Sequence, residues 1–153
     1  MDIAGPALRR ESSIADRLIL ELTESSAMLV PELVMHFMRD LRQRGITFAL
    51  DDFGAGTTSF RYLRDFAFHI VKIDGQFTKN VAVHPDNQVM IQSLRSISDH
   101  FGMFTIAKAV ECERDSQWLS ETLVDCQHGY FWGVPTLNPN WHQGYSEQEA
   151  ATA

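Results

Sequence analysis

Two adjacent acids, Asp51 and Asp52, end the apolar run Ile46-Thr47-Phe48-Ala49-Leu50 and open a small-residue loop holding Gly54 and Gly56. Such a run reads as a strand buried on both faces. Burying two carboxylates at its end is costly unless a cation or hydrogen-bond donors compensate. Neighbouring strand residues point to opposite sides, so the two acids reach one ion together only where strand gives way to loop. Two readings stay open: a divalent cation at the strand end, or a solvated turn with a helix-capping Asp. Glu24, Asp74 and Glu111 end three more strand-like runs, residues 18–24, 69–74 and 104–111. Lys72 lies inside the third run and Lys108 inside the fourth. A lysine among β-branched residues needs a partner, which Asp51, Asp52 or Asp74 could supply, or an edge position that reaches solvent.

The elements that must position these residues alternate. Residues 31–44 are expected to be a helix, with Pro31 at its first position, Leu33, Val34, Phe37, Met38 and Leu41 on the apolar stripe and Gly45 as its cap. A short helix is expected over 58–66. A long one over 86–101 has Asp86 as N-cap and Val89, Met90, Leu94, Ile97 and Phe101 inward. Asp115 is a candidate cap for a further helix, and a fifth, weaker strand over 124–133 runs into an aromatic loop. Strands alternating with helices imply parallel β/α units, and in a β/α barrel the acids at the strand ends converge on one rim. Glu24, Asp51, Asp52, Asp74 and Glu111 then form one acidic cluster with Lys72 and Lys108 among them. Hard oxygen donors without thiolate or histidine spacing favour Mg²⁺ or Mn²⁺ over zinc.

The 153 residues suggest one domain, and 44% hydrophobic with 22% charged residues can build a core. A net charge of -7 argues against a DNA-backbone binder. Cys112 and Cys126 match no metal spacing and read as reduced core thiols in a cytoplasmic protein. No apolar run has transmembrane length. Residues 1–17 read as a lead-in, 18–142 as the domain and 143–153 as a flexible tail.

Five segments together resemble the EAL-domain family: Glu21-Leu22-Thr23-Glu24-Ser25, Asp51-Asp52-Phe53-Gly54-Ala55-Gly56, Val71-Lys72-Ile73-Asp74, Ala107-Lys108-Ala109-Val110-Glu111 and Gly129-Tyr130-Phe131-Trp132-Gly133-Val134-Pro135. The resemblance implies a modified β/α barrel that hydrolyses cyclic di-GMP to the linear dinucleotide pGpG with two Mg²⁺ or Mn²⁺ ions. It implies that Glu24 is a ligand of the first metal, that Asp51 bridges both, and that Asp52 and Asp74 serve the second. It assigns Lys72 to the attacking water or the phosphate, and Glu111 to the last glutamate of the family's Ala-Glu-Gly-Val-Glu pattern. Gly54, Gly56 and Ser59 fall in the loop that governs metal binding and dimerisation.

Departures from the pattern are equally specific. The family's Glu-x-Leu strand and the strand with its metal-binding asparagine have no counterpart in the sequence. A complete barrel needs roughly 250 residues, so the expectation is a partial EAL-type barrel of about five mainly parallel strands with flanking helices. Lys108 stands where the pattern has a glutamate tied to the second metal, and its ammonium could take that cation's place. His128 replaces a glutamine, and Ala109 a glycine. The expected function is a degenerate, non-hydrolytic regulatory or protein-interaction module that binds cyclic di-GMP weakly, any metal site being weakened or lost. The alternative is a metal-dependent phosphodiesterase completed by another chain. Open barrel edges call for a protein partner or a homodimer.

Overall fold

The computed structural model describes residues 12–55 and 60–137. The expectations for Gly56, Ser59, the start of the lead-in and the 143–153 tail lie outside the described residues. The elements in chain order are α1 (Ser12–Ala15), β1 (Ile19–Thr23), α2 (Glu24–Leu29), α3 (Pro31–Arg42), β2 (Thr47–Phe53), α4 (Phe60–Phe66), β3 (Ile70–Ile73), α5 (Gly75–Thr78), α6 (Pro85–His100), β4 (Phe104–Ala107), α7 (Glu113–Glu121) and β5 (Cys126–Gln127). The strands form one five-stranded sheet in the order β1-β2-β3-β4-β5, and every neighbouring pair is parallel. This is the partial EAL-type barrel that the sequence implies.

The two faces of the sheet differ. Phe48 and Leu50 on β2, Val71 and Ile73 on β3 and Ala107 on β4 are buried in the core. Helix residues Met38, Leu41, Leu63, Ile91, Leu94 and Leu119 complete that core. Full burial of one such large side chain contributes about 1.5–3 kcal/mol. The alternate residues, Ile19 and Glu21, Ile70 and Lys72, Phe104 and Ile106, are exposed or half-buried on the other face.

Several local expectations need correction. Glu24 opens a helix over Glu24–Leu29 rather than ending the first strand, and the Thr23 hydroxyl accepts from the Ser26 amide as its N-cap. Helix α6 begins one residue earlier, at Pro85 with His84 as N-cap, and it is rotated so that Ile91, Leu94 and Ser98 are buried while Val89 and Phe101 are exposed. On α3 the stripe is narrower than expected: Met38 and Leu41 are buried, but Leu33 and Phe37 are exposed. Strand β5 shortens to two residues. Cys112 and Cys126 are free, as expected, yet both are exposed rather than in the core.

At the other end of the sheet His69 Nδ1 accepts from the Phe48 amide at 3.2 Å. Burial and the Arg42 charge lower the His69 pKa from 6.5, against the Phe48 contact. The folded state thus favours the neutral ring. Below about pH 6.5 the unfolded chain takes up a proton that the folded chain resists, so stability falls as pH drops from there toward the folded pKa. His69→Asn keeps an acceptor for the amide and removes the titration. Urea melts across this window are expected to show a shallower pH slope in the variant.

Candidate functional site

The acid pair is brought together by a bulge rather than by the end of the strand. Strand β2 runs on to Phe53, but its register against β3 slips between Leu50 and Phe53. Asp52 takes a left-handed φ of 56°. An extra residue in a strand re-aims its side chains, and here both carboxylates reach one cation. Lys108 Nζ donates to Asp51 Oδ1 at 2.8 Å and to Asp52 Oδ1 at 2.6 Å. The strained Asp52 backbone costs about 1 kcal/mol or more, which the charge-assisted bonds offset.

Burial alone would raise the Asp51 carboxyl, but the Lys108 bond, the Asp52 amide and the charge of Lys72 outweigh it and hold the pKa below 3.8. Burial would likewise lower Lys108, yet its bonds to Asp51 and Asp52 win and its pKa is raised above 10.5. Asp51 and Lys108 are therefore both ionised at neutral pH. The Lys108 carbonyl accepts from the Thr78 hydroxyl, which ties the lysine's backbone to α5.

The expected cluster assembles only in part. Lys72 Nζ donates to Glu21 Oε2 at 2.8 Å and to Oε1 at 3.0 Å, with Asp51 Oδ1 at 4.0 Å. Its main partner is thus Glu21 on β1, two strands away. Ala49 is the register partner of Glu21 on the intervening β2, and its small side chain leaves the span open. Asp74 is the N-cap of α5, its Oδ1 accepting from the Gln76 amide at 2.8 Å. Glu24 is buried at the start of α2, and its Oε2 accepts from the Gly54 amide at 3.0 Å. Gly54 has a φ of +95°, and a Cβ there would run into the Phe77 ring. A glycine at this position is therefore required by both conformation and space.

Glu111 does not end the fourth strand as the sequence suggested. Strand β4 stops at Ala107, and Ala109 takes a φ of 55°. Val110 then pairs with the segment after β5: its amide donates to the His128 carbonyl and its carbonyl accepts from Phe131. Glu111 meets Lys79 Nζ at 2.8 Å on the surface, and both line the groove that also holds Lys108. A Cβ on Gly129 would overlap the Val110 backbone, so this close pairing depends on glycine. His128 lies exposed beside a groove of about 1150 Å³, lined also by Lys79, Lys108, Tyr130 and Trp132.

The donor set decides what it can hold. Asp51 and Asp52 are both engaged by an ammonium, Asp74 by a helix N-terminus and Glu111 by Lys79. Among the described residues no group of three or more His, Cys, Asp or Glu side chains is arranged to hold a metal ion. As they stand, these residues do not fit the Mg²⁺ or Mn²⁺ pair that the resemblance implies. Glu21 was not singled out in the sequence, although its place two residues before Thr23 puts it on the open face of β1. Among the described residues no helix is long and apolar enough to cross a membrane.

Comparison with known proteins agrees with this fold. Residues 5–135 match the EAL domain. The chain is 36% identical over 115 residues to the cyclic di-GMP phosphodiesterase PdeB of Shewanella oneidensis, covering 75% of this chain and 13% of that protein. The solved structure of the PaMucR phosphodiesterase in complex with c-di-GMP overlays with a TM-score of 0.78 at 28% identity, covering 90% of this chain and 55% of that one. The S helix-GGDEF-EAL structure of Vibrio cholerae LapD overlays with a TM-score of 0.75 at 26% identity, covering 82% and 30%. The chain thus spans less than two thirds of the length of each. With the model match over most of its residues and a sheet that overlays on solved family structures, this chain belongs to the EAL-domain family.

Proposed function

We propose that the chain is a non-hydrolytic EAL module of cyclic di-GMP signalling, acting by binding rather than by cleaving a phosphodiester. The observation that carries the reading is the Lys108 ammonium held 2.8 Å from Asp51 and 2.6 Å from Asp52. An ammonium neutralises these acids but offers no coordination position where water could be activated. The neighbouring groove brings the polar side chains of Lys79 and His128 beside Tyr130 and Trp132, donors for a phosphate and aromatic faces for bases, although Glu111 lines it too and holds Lys79. That composition supports weak binding of the cyclic dinucleotide without turnover. Free thiols at Cys112 and Cys126 fit a reducing, cytoplasmic compartment.

Incubation with cyclic di-GMP and Mn²⁺ or Mg²⁺, followed by chromatography of the nucleotides, tests this directly. The cyclic dinucleotide is expected to be recovered unchanged. Linear pGpG that forms with the wild type and vanishes in Asp51→Asn would replace this reading with the phosphodiesterase one, its site completed by residues from another chain.

A further inference from the structure

A second concentration of charge lies at the opposite end of the sheet from the acid pair. A groove of about 410 Å³ opens there, lined by Arg39, Arg42, Gln43, Thr47 and His69 around Gly45 and Ile46. These residues come from the end of α3, the start of β2 and the entry to β3. Strands β2 and β3 are interior to the sheet order, so the groove sits away from both edges. Its size is within the range of about 300–1,000 Å³ that small-molecule sites occupy.

Three observations give the groove its chemistry. The first is composition. The chain carries 20 acids against 13 lysines and arginines, yet two arginines line this groove and, among the described residues, no acid does. Asp16 stands only at its margin, where a Cβ on Gly45 would run into the carboxylate. The second is commitment. Arg39 donates to His36 Nδ1 at 2.6 Å, whereas the Arg42 side chain has no hydrogen bond or ion pair among the described residues. The third is the state of His69. Its Nδ1 accepts from the Phe48 amide at 3.2 Å, so the neutral ring carries its proton on Nε2. Burial and the Arg42 charge lower its pKa from 6.5, which keeps the ring neutral at neutral pH. Nε2 is thereby a fixed donor, and among the described residues nothing accepts from it. Arginines in the last turn of a helix complement its dipole. That role does not account for an unpaired imidazole donor beside them on another element.

Guanidinium forks and a ring N–H match phosphate oxygens, and two guanidiniums match the two charges of a phosphate monoester. We infer that this groove binds the phosphate group of a small phosphate monoester, held by Arg39, Arg42 and the Nε2–H of His69. The site is separate from the groove of the binding module proposed above, so either reading can fail while the other stands.

Titration of the isotopically labelled full chain with α-glycerol phosphate, inorganic phosphate or chloride at neutral pH and matched ionic strength tests this. The monoester is expected to move the His69 ring resonances saturably at millimolar concentration, inorganic phosphate to do so no more tightly, and chloride not at all. Arg39→Gln and Arg42→Gln, at exposed positions, are each expected to weaken binding by about tenfold or more, with unchanged far-UV circular dichroism. The monoester is also expected to raise the wild-type melting temperature and to leave that of the double variant unmoved. The inference is overturned by an absence of saturable shifts, by shifts that chloride reproduces, or by an affinity that survives loss of both arginines. Binding of inorganic phosphate alone overturns it too, since that would make the groove an ion site.

Discussion

Lys108→Glu is expected to destabilise the chain by about 2–4 kcal/mol at neutral pH without divalent ions, a partly exposed version of the penalty for breaking a buried ion pair. The substitution removes the cation from Asp51 and Asp52 and adds a third carboxylate facing them. Lys108→Met removes the cation alone and is expected to cost less, about 1–3 kcal/mol, since Asp52 is still reached by water. Millimolar Mn²⁺ is expected to recover part of the loss in Lys108→Glu and to leave the wild-type melt unmoved. A glutamate variant with no response to Mn²⁺ would show that removing the lysine does not by itself restore an ion site, and that donors beyond these acids are needed.

The same cluster sets a pH window. Asp51 has a lowered pKa, so its contribution is present above about pH 4 and is lost as pH falls through the folded value. Lys108 has a raised pKa, so its contribution is present below about pH 10 and is lost as pH rises through the folded value. In Lys108→Met the alkaline loss is expected to shrink, which urea melts at alkaline pH would register.

Asp115→Ala is expected to cost about 2–4 kcal/mol, because it leaves two amides without their charged acceptor. Asp115 is 5% exposed. Its Oδ2 accepts from the Asn80 amide at 2.9 Å and its Oδ1 from the Ala82 amide at 3.0 Å. Asn80 has a left-handed φ of 57°, so the turn after α5 is held by this carboxylate rather than by a repeating ladder. Asp115→Asn keeps one acceptor oxygen and is expected to lose roughly half as much. Equal losses in the two variants would show that the charge, rather than the number of acceptors, holds the turn.

Asp115 also shows where the sequence could be read and where it could not. Its type and position suggested a helix cap. In the structure Cys112 is the N-cap, and Asp115, three residues further on, turns its carboxylate toward a loop more than thirty positions earlier. Local patterns cannot reveal such a partner. The β/α alternation was legible because hydrophobic period and capping residues are local signals: β1 to β4 fall where expected, and the sheet is parallel. The acid pair was legible as a pair, and its bond to Lys108 follows from charges at the ends of adjacent strand runs. The bulge that aligns the two carboxylates was not, since Asp52 is one of the residue types that tolerate a left-handed backbone without announcing it. The end of β4 at Ala107 was not legible, because nothing in Ala107-Lys108-Ala109-Val110-Glu111 marks Ala109 as left-handed. Glu21 and Lys72 meet across two strand spacings, a pairing that only the register makes visible.

Strand order equal to chain order has a kinetic consequence. Each sheet pairing joins β/α units that are neighbours in sequence, yet parallel partners such as Glu21 with Ala49 and Val71 with Thr105 lie tens of residues apart, so a loop must close before each pairing forms and folding is slowed. A nascent chain can add each unit to an edge already formed as synthesis proceeds from the N-terminus. The last pairing to form, β4 with β5, rests on two register partners, Ile106 with Cys126 and Ala107 with Gln127. That terminal step is the one a partly synthesised or locally frayed chain loses first.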